Sequence, residues 1–401
     1  MSDDVISEDP RDRTERGSRT RFALAAVLVL LMLLLGVLGW FIVGVLQPAG
    51  VPTSASLPPG LEWVRSIYGF GPGKGQQFVS PNHTAIGPDG TIWVTDQGAS
   101  RVLGFNPDGT FKAQLRQPKV MQRPEGITVS AAGDIYVCDF GLGNVVVFSP
   151  DGRVLRWWRV EAKDLPIQVA VKGDRAVVTA MSGVYVFSTE GKLVAKWGSR
   201  GKADDQLDLA EGIVIGPDDT LYIADTHNAK IKAFTMAGKL LWVGPKGATV
   251  APKKGGMSDA AFDKSLQLPA GMTFDGNGRL VFVDPFSFQI IVLDTKDKGS
   301  IVGRYGDSGQ SDGHFVYPLG ISYDPARDWF AVADTSNLRV QIVRIPGSSS
   351  NALAGLRRAA SGGPVWLCSV PLLLLLIALA VAFSGRRRDE RHSARVKQAQ
   401  E

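Results

Sequence analysis

Three side chains, Asn82, Glu125 and Glu211, supply the oxygen chemistry from which a polar-ligand or hard-cation site can be built. Each stands second in a recurring opening: PNHTAI (81–86), PEGITV (124–129) and AEGIVI (210–215). Two carboxylates and an amide, completed by water, can hold Ca²⁺. Two glutamates brought near one another also repel, which raises the pKa of one of them, a pattern found at functional sites. The competing reading is structural: the same three groups can bond loop N–H groups and water at a polar channel mouth. No residue is assigned a catalytic role, and no cofactor is expected other than that divalent ion.

Two other sets of reactive residues point away from chemistry. Asp96, Asp139, Asp225, Asp284 and Asp334 each close an apolar run (TIWVTD, DIYVCD, TLYIAD, RLVFVD, WFAVAD). A residue repeated once per unit performs a task repeated once per unit, and for Asp that task is accepting N–H bonds of its own loop. Asn228, Asn337, Arg101, Lys230 and Arg339 fall at fixed offsets from these aspartates and belong to the same grammar. The four histidines, His83, His227, His314 and His392, share no position, which excludes a three-histidine zinc site. There is no G-x-S-x-G and no phosphate-cradling glycine loop.

The elements that must position these residues follow from the spacing. Glu211 to Gly238 reads as strand, tight turn, strand, polar loop, strand and turn, with Pro217-Asp218-Asp219 and Ala237-Gly238 as the breaks. The closing aspartates recur 43, 86, 59 and 50 residues apart. The interval of 86 hides a sixth unit, opened by LPIQVAV (165–171), in which Ala180 replaces the aspartate. A period of 40–50 residues with several strands per unit reads as propeller blades. The openings LPAGMTF (268–274) and YPLGISY (317–323) complete six, so Ile167, Ala270 and Leu319 share the ring position of Asn82, Glu125 and Glu211.

These openings, the aspartate-ended strands and loops such as DTHNAKIKAF (225–234) and DTSNLRVQIV (334–343) resemble the NHL repeat, with its P-x-G-I opening, Y-V-x-D strand and N-x-R-I loop. The resemblance covers residues 61–346 and implies an all-β, six-bladed propeller. It implies binding and assembly more often than catalysis. The amidating lyases of this kind carry zinc-binding histidines at the ring position, where this chain has none. Gluconolactonase-like propellers use a Glu/Asn/Asp metal site, whose composition Asn82, Glu125 and Glu211 imitate.

A last blade with three strands ending near Val343 needs a fourth, and Glu62 to Tyr68 stands alone to supply it. Both ends of the domain then leave from the face bearing the Asp-Gly turns, opposite the aspartate loops. Gly69-Phe70-Gly71 and Gly244 to Gly256 are expected to be exposed recognition loops. Cys138, inside a strand, is expected to be buried and inert, and Cys368 lies far from it.

The flanks differ in kind. Residues 1–21 are charged, 22–46 form an apolar run without a charge, and 47–60 are a Pro/Ser/Gly linker. Residues 347–363 are a second linker, 364–384 a second apolar run, and 385–401 a basic tail. Each run is long enough to span a bilayer, and the arginines outside both predict cytoplasmic termini with the propeller extracytoplasmic in a two-pass cell-membrane protein. Basic and acidic residues number five and six in 1–60, 31 and 30 in 61–346, and eight and three in 347–401. The near-neutral central domain excludes a nucleic-acid partner. The expected function is a membrane-tethered propeller that binds a protein or glycan on its membrane-distal face. The alternatives are a metal-dependent lactonase-like hydrolase and a structural subunit of a membrane complex.

Overall fold

The computed structural model describes residues 28–36, 60–161, 164–246 and 265–349. The chain divides into two units, and the second, Ser54–Ser350, holds every strand among the described residues. Residues 28–36 are helical. No helix among the described residues is long and apolar enough to cross a membrane. Most of the 22–46 run, and all of 364–384 and 385–401, lie outside the described residues.

Among the described residues, twenty-four strands form six four-stranded antiparallel sheets. β1 (Glu62–Ile67) comes first. Blade 1 is β2 (Pro81–Ile86), β3 (Ile92–Asp96), β4 (Arg101–Phe105) and β5 (Phe111–Leu115). Blade 2 is β6 (Pro124–Val129), β7 (Ile135–Asp139), β8 (Asn144–Phe148) and β9 (Val154–Arg159). Blade 3 is β10 (Pro166–Lys172), β11 (Arg175–Ala180), β12 (Gly183–Ser188) and β13 (Leu193–Trp197). Blade 4 is β14 (Ala210–Ile215), β15 (Leu221–Asp225), β16 (Lys230–Phe234) and β17 (Leu240–Gly244). Blade 5 is β18 (Met272–Phe274), β19 (Leu280–Asp284), β20 (Gln289–Asp294) and β21 (Ser300–Tyr305). Blade 6 contributes β22 (Pro318–Asp324), β23 (Trp329–Asp334) and β24 (Arg339–Arg344).

β1 completes blade 6 by pairing antiparallel with β24, from Glu62 opposite Arg344 to Ile67 opposite Val340. The ring therefore closes with strands from both ends of the unit. Arg344 Nη1 meets Glu62 Oε1 at 2.6 Å where the two ends meet. Beyond β24, the chain is clasped to the same face. Ser348 Oγ donates to Asp328 Oδ1 (2.6 Å), Tyr323 Oη to the Ser348 carbonyl (3.2 Å), and Arg279 Nη2 to the Pro346 carbonyl (3.0 Å).

The sequence pattern explains the packing. Second strands such as IYVCD and LVFVD are buried along their whole length, because blades stack on both faces. The outer strand β9 alternates half-buried and exposed residues, since only one of its faces meets a neighbour. Six apolar clusters fill the six interfaces between blades. One joins Val137 and Ile127 of blade 2 to Trp93 and Val102 of blade 1, and another joins Trp329 and Ile342 of blade 6 to Val94 and Leu103 of blade 1. On the turn face Gly90, Gly109, Gly152 and Gly191 hold φ between 82° and 88°, the left-handed region those Asp-Gly and Glu-Gly turns require.

The loop face is less open than expected in one place. Phe70 is half-buried, its ring 4.7 Å from that of Phe111 with the Arg101 guanidinium 5.3 Å from its centroid. Gly69-Phe70-Gly71 is thus largely packed, because the flanking aromatic and Arg supply a ready apolar seat. Most of Gly244 to Gly256 lies outside the described residues.

Candidate functional site at the channel mouth

Each closing aspartate is buried and ties its loop to its own blade's opening. Asp96 accepts from Val79 N (2.9 Å), Ser80 N (2.8 Å) and Arg101 Nε (2.8 Å). Asp334 accepts from Val316 N (2.7 Å), Asn337 Nδ2 (2.8 Å), Arg339 Nε (2.8 Å) and Gln341 Nε2 (2.9 Å). Asp225 pairs with the fully buried Lys232 Nζ at 2.7 Å. Blade 3 meets the same need from the other side of the loop. Asp164, just before its opening, accepts from Ser182 N (3.2 Å), Tyr185 Oη (2.7 Å) and the Ser182 hydroxyl. The aspartates are structural hubs, as the one-per-unit argument expects.

The ring position after each opening residue sits in the first strand of its blade, at the loop end. Ile167, Ala270 and Leu319 are buried there and form the apolar part of the ring. Asn82 and Glu125 meet directly: Asn82 Nδ2 donates to Glu125 Oε1 at 2.9 Å, and Ser80 Oγ donates to Asn82 Oδ1 at 3.1 Å. Gln97 Nε2 donates to Glu125 Oε2. Burial raises the Glu125 carboxyl above its ordinary range, with the Asn82 bond, the Arg123 charge and the Gln97 bond opposing. Glu211 is different. Its Oε2 is buried with no hydrogen-bond partner, and burial first, then the charge of Glu125, push its pKa up to about 7. Burial and the Glu211 charge also raise the Tyr317 phenol.

The three residues predicted to share a site therefore share a charge environment, but only Asn82 and Glu125 touch in the contacts described. As a cation site the set is incomplete. Glu211 offers one orphaned oxygen, which suits a metal or an N–H donor. The Asn82 oxygen and the Glu125 carboxylate are already engaged with neighbouring donors. Among the described residues no group of three or more His, Cys, Asp or Glu is arranged to hold a metal. His227 is exposed and 3.6 Å from Asp208, His314 lies 3.2 Å from Asp307, and His392 lies outside the described residues. Cys138 is a buried free thiol whose pKa is raised by burial, while Cys368 lies outside the described residues.

Sequence reasoning overlooked Gln97, which holds Glu125, and the pair His83 and Gln168. Gln168 Nε2 lies 3.1 Å from His83 Nδ1, with both residues buried beside the axis. A signal for this pair is present in the openings. The third position is glycine in four blades (Gly126, Gly212, Gly271, Gly320), and His83 and Gln168 are the two departures.

No family model matches the sequence, and no curated protein matches it. Among solved structures, a gluconolactonase from Xanthomonas campestris aligns with a TM-score of 0.53 at 17% identity, over 75% of this chain and 99% of that one. A virginiamycin B lyase from Staphylococcus aureus aligns with a TM-score of 0.47 at 18% identity, over 65% of this chain and 79% of that one. At such identities the likeness is one of fold, a six-bladed propeller, and the fold alone assigns no chemistry.

Proposed function

We propose that this chain is a membrane-tethered, extracytoplasmic propeller of the NHL-repeat kind that binds a protein or glycan partner through its loop face. One observation carries this reading: the two ends of the propeller meet on the turn face, at Glu62 and Arg344. Tethers leaving from that face keep the loop face, with its acid mouth, free for a partner. The uncharged runs at 22–46 and 364–384 and their basic outer flanks support the tether. The test is affinity capture of the intact chain from mild detergent, comparing Glu211→Lys with a turn-face control, Asp151→Lys. Partner recovery is expected to fall with the first and persist with the second. Equal recovery in both counts against the loop face as the binding surface.

A second reading, a metal-dependent lactonase-like hydrolase, is favoured by the orphaned buried oxygen of Glu211. It predicts calorimetric binding of Ca²⁺ that is lost in Glu211→Ala, together with lactone turnover. An absence of heat on titration to millimolar Ca²⁺ sinks it.

A further inference from the structure

The third position of each opening marks the level at which the first strands of neighbouring blades come closest. A Cβ placed on Gly126 would stand 2.5 Å from the Cα of Gln168, and one on Gly320 would stand 2.5 Å from the Cα of His83. One on Gly271 would stand 2.6 Å from the Leu319 carbonyl, and one on Gly212 would strike the carbonyl of Ala270. Real Cβ atoms do not approach backbone so closely, so glycine is required at these four places. The first strands thus form a tight collar around the axis. Only blades 1 and 3 carry side chains in it, and those two side chains meet.

The pair is well fixed. Gln168 Nε2 donates to His83 Nδ1 at 3.1 Å, which leaves the imidazole proton on Nε2. Gln168 Oε1 accepts from Val169 N at 2.9 Å, so the amide cannot turn without losing a bond. His83 N donates to Thr95 Oγ1 at 3.0 Å, and Gln168 N donates to Thr179 Oγ1 at 3.2 Å. His83 is 2% exposed and Gln168 6%, so little of either side chain faces open solvent. Burial also holds the imidazole neutral, with its pKa lowered to about 4.

On the turn side of the pair lies an axial cavity of about 230 Å³. His83 and Gln168 line its loop end, Thr128 and Thr273 its wall, and Lys172 and Tyr323 its turn end. None of the six ring-position residues lines it, neither Glu125 and Glu211 nor the others. The acid mouth and the cavity are therefore neighbours on one axis with the His–amide pair between them.

We propose that His83 and Gln168 form a floor across the axis, which makes the loop-face mouth a closed cup and bars solutes from entering the axial cavity through it. For a loop-face partner this floor selects a blunt group seated over the mouth, such as a side chain or a sugar ring. It excludes an extended chain threaded through the propeller. That consequence rests on the loop-face binding reading, whereas the floor itself does not.

The experiment is thiol labelling of the full chain in detergent, with Thr128→Cys as the reporter in the cavity and Cys368→Ser removing a background thiol. Cys138 is buried and stays silent. Thr128 is half-buried and the cavity's turn end reaches the exposed Lys172, so a small methanethiosulfonate reagent is expected to label Cys at 128 at a basal rate set by entry from that end. Changing both floor residues to glycine adds a second route through the mouth and is expected to raise the rate about twofold or more. Glycine already stands at this place in four blades, and His83→Ala with Gln168→Ala repeats the comparison if the glycine pair does not fold. A rate unchanged by removal of the floor overturns the proposal. A failed partner capture leaves the labelling result standing, so the two readings fail separately.

Discussion

Replacing Asp334 with alanine is expected to lower the stability of the propeller by about 3–5 kcal/mol, the range for removing one member of a buried ion pair. Asp334 is fully buried and gathers four donors: Val316 N, Asn337 Nδ2, Arg339 Nε and Gln341 Nε2. Arg339, itself 2% exposed, would keep Asp312 at 3.2 Å and the carbonyls of Ser311 and His314, but lose its closest carboxylate. The affected blade is also the one that closes the ring, because β24 carries Arg339 and pairs with β1. Urea unfolding measures the effect. Asp151→Ala is the control: its carboxylate bonds Arg153 at 2.8 Å with both side chains mostly exposed, and solvent screening leaves such a pair little to contribute. A loss at Asp334 no larger than that at Asp151 would contradict the hub role.

Glu211→Gln is expected to stabilise the protein above neutral pH and to leave it unchanged near pH 4. The folded pKa is raised from the ordinary 4.5 to about 7, so the native state holds more protons than the unfolded state between those values. Stability contributed by the neutral carboxyl is fully present below pH 4.5 and is lost as pH rises through about 7. A shift of this size corresponds to about 3 kcal/mol, and the amide, which never ionises, recovers about 1–3 kcal/mol of it at pH 8. Paired urea titrations from pH 4 to 8.5 check this. A difference between variant and parent that does not change with pH would show that Glu211 ionises as if in water.

Much of this architecture is legible in the sequence, and the reason is repetition. Six openings and five aspartate-ended strands report the blades, and the isolated strand at 62–68 reports how the ring closes. The departures were harder to read. Ala180 looks like a lost aspartate, yet Asp164 takes over from the far side of the loop, because the hub needs an acceptor at a place in space rather than at a place in the repeat. Asn82 and Glu125 are 43 residues apart and touch, since adjacent blades bring equal positions together. Glu211, two blades from Glu125, senses its charge without a described contact. The His83–Gln168 bond skips a blade. Only a view of the axis shows it, although the broken column of glycines points to both partners.

The way the ring closes also sets how it would yield to force. Glu62 and Arg344 are the first pair of the β1–β24 ladder, and they are the points at which the chain enters and leaves the blades. Tension applied at these two points pulls across the ladder and opens it one pair at a time from that end, instead of loading every bond at once. Before the pull reaches Arg344, the clasp of Pro346 and Ser348 on Arg279, Asp328 and Tyr323 must give way. The turn face thus carries a mechanical fuse: a short clasp in series with a zipper, placed so that the sixth blade is the first to open under load.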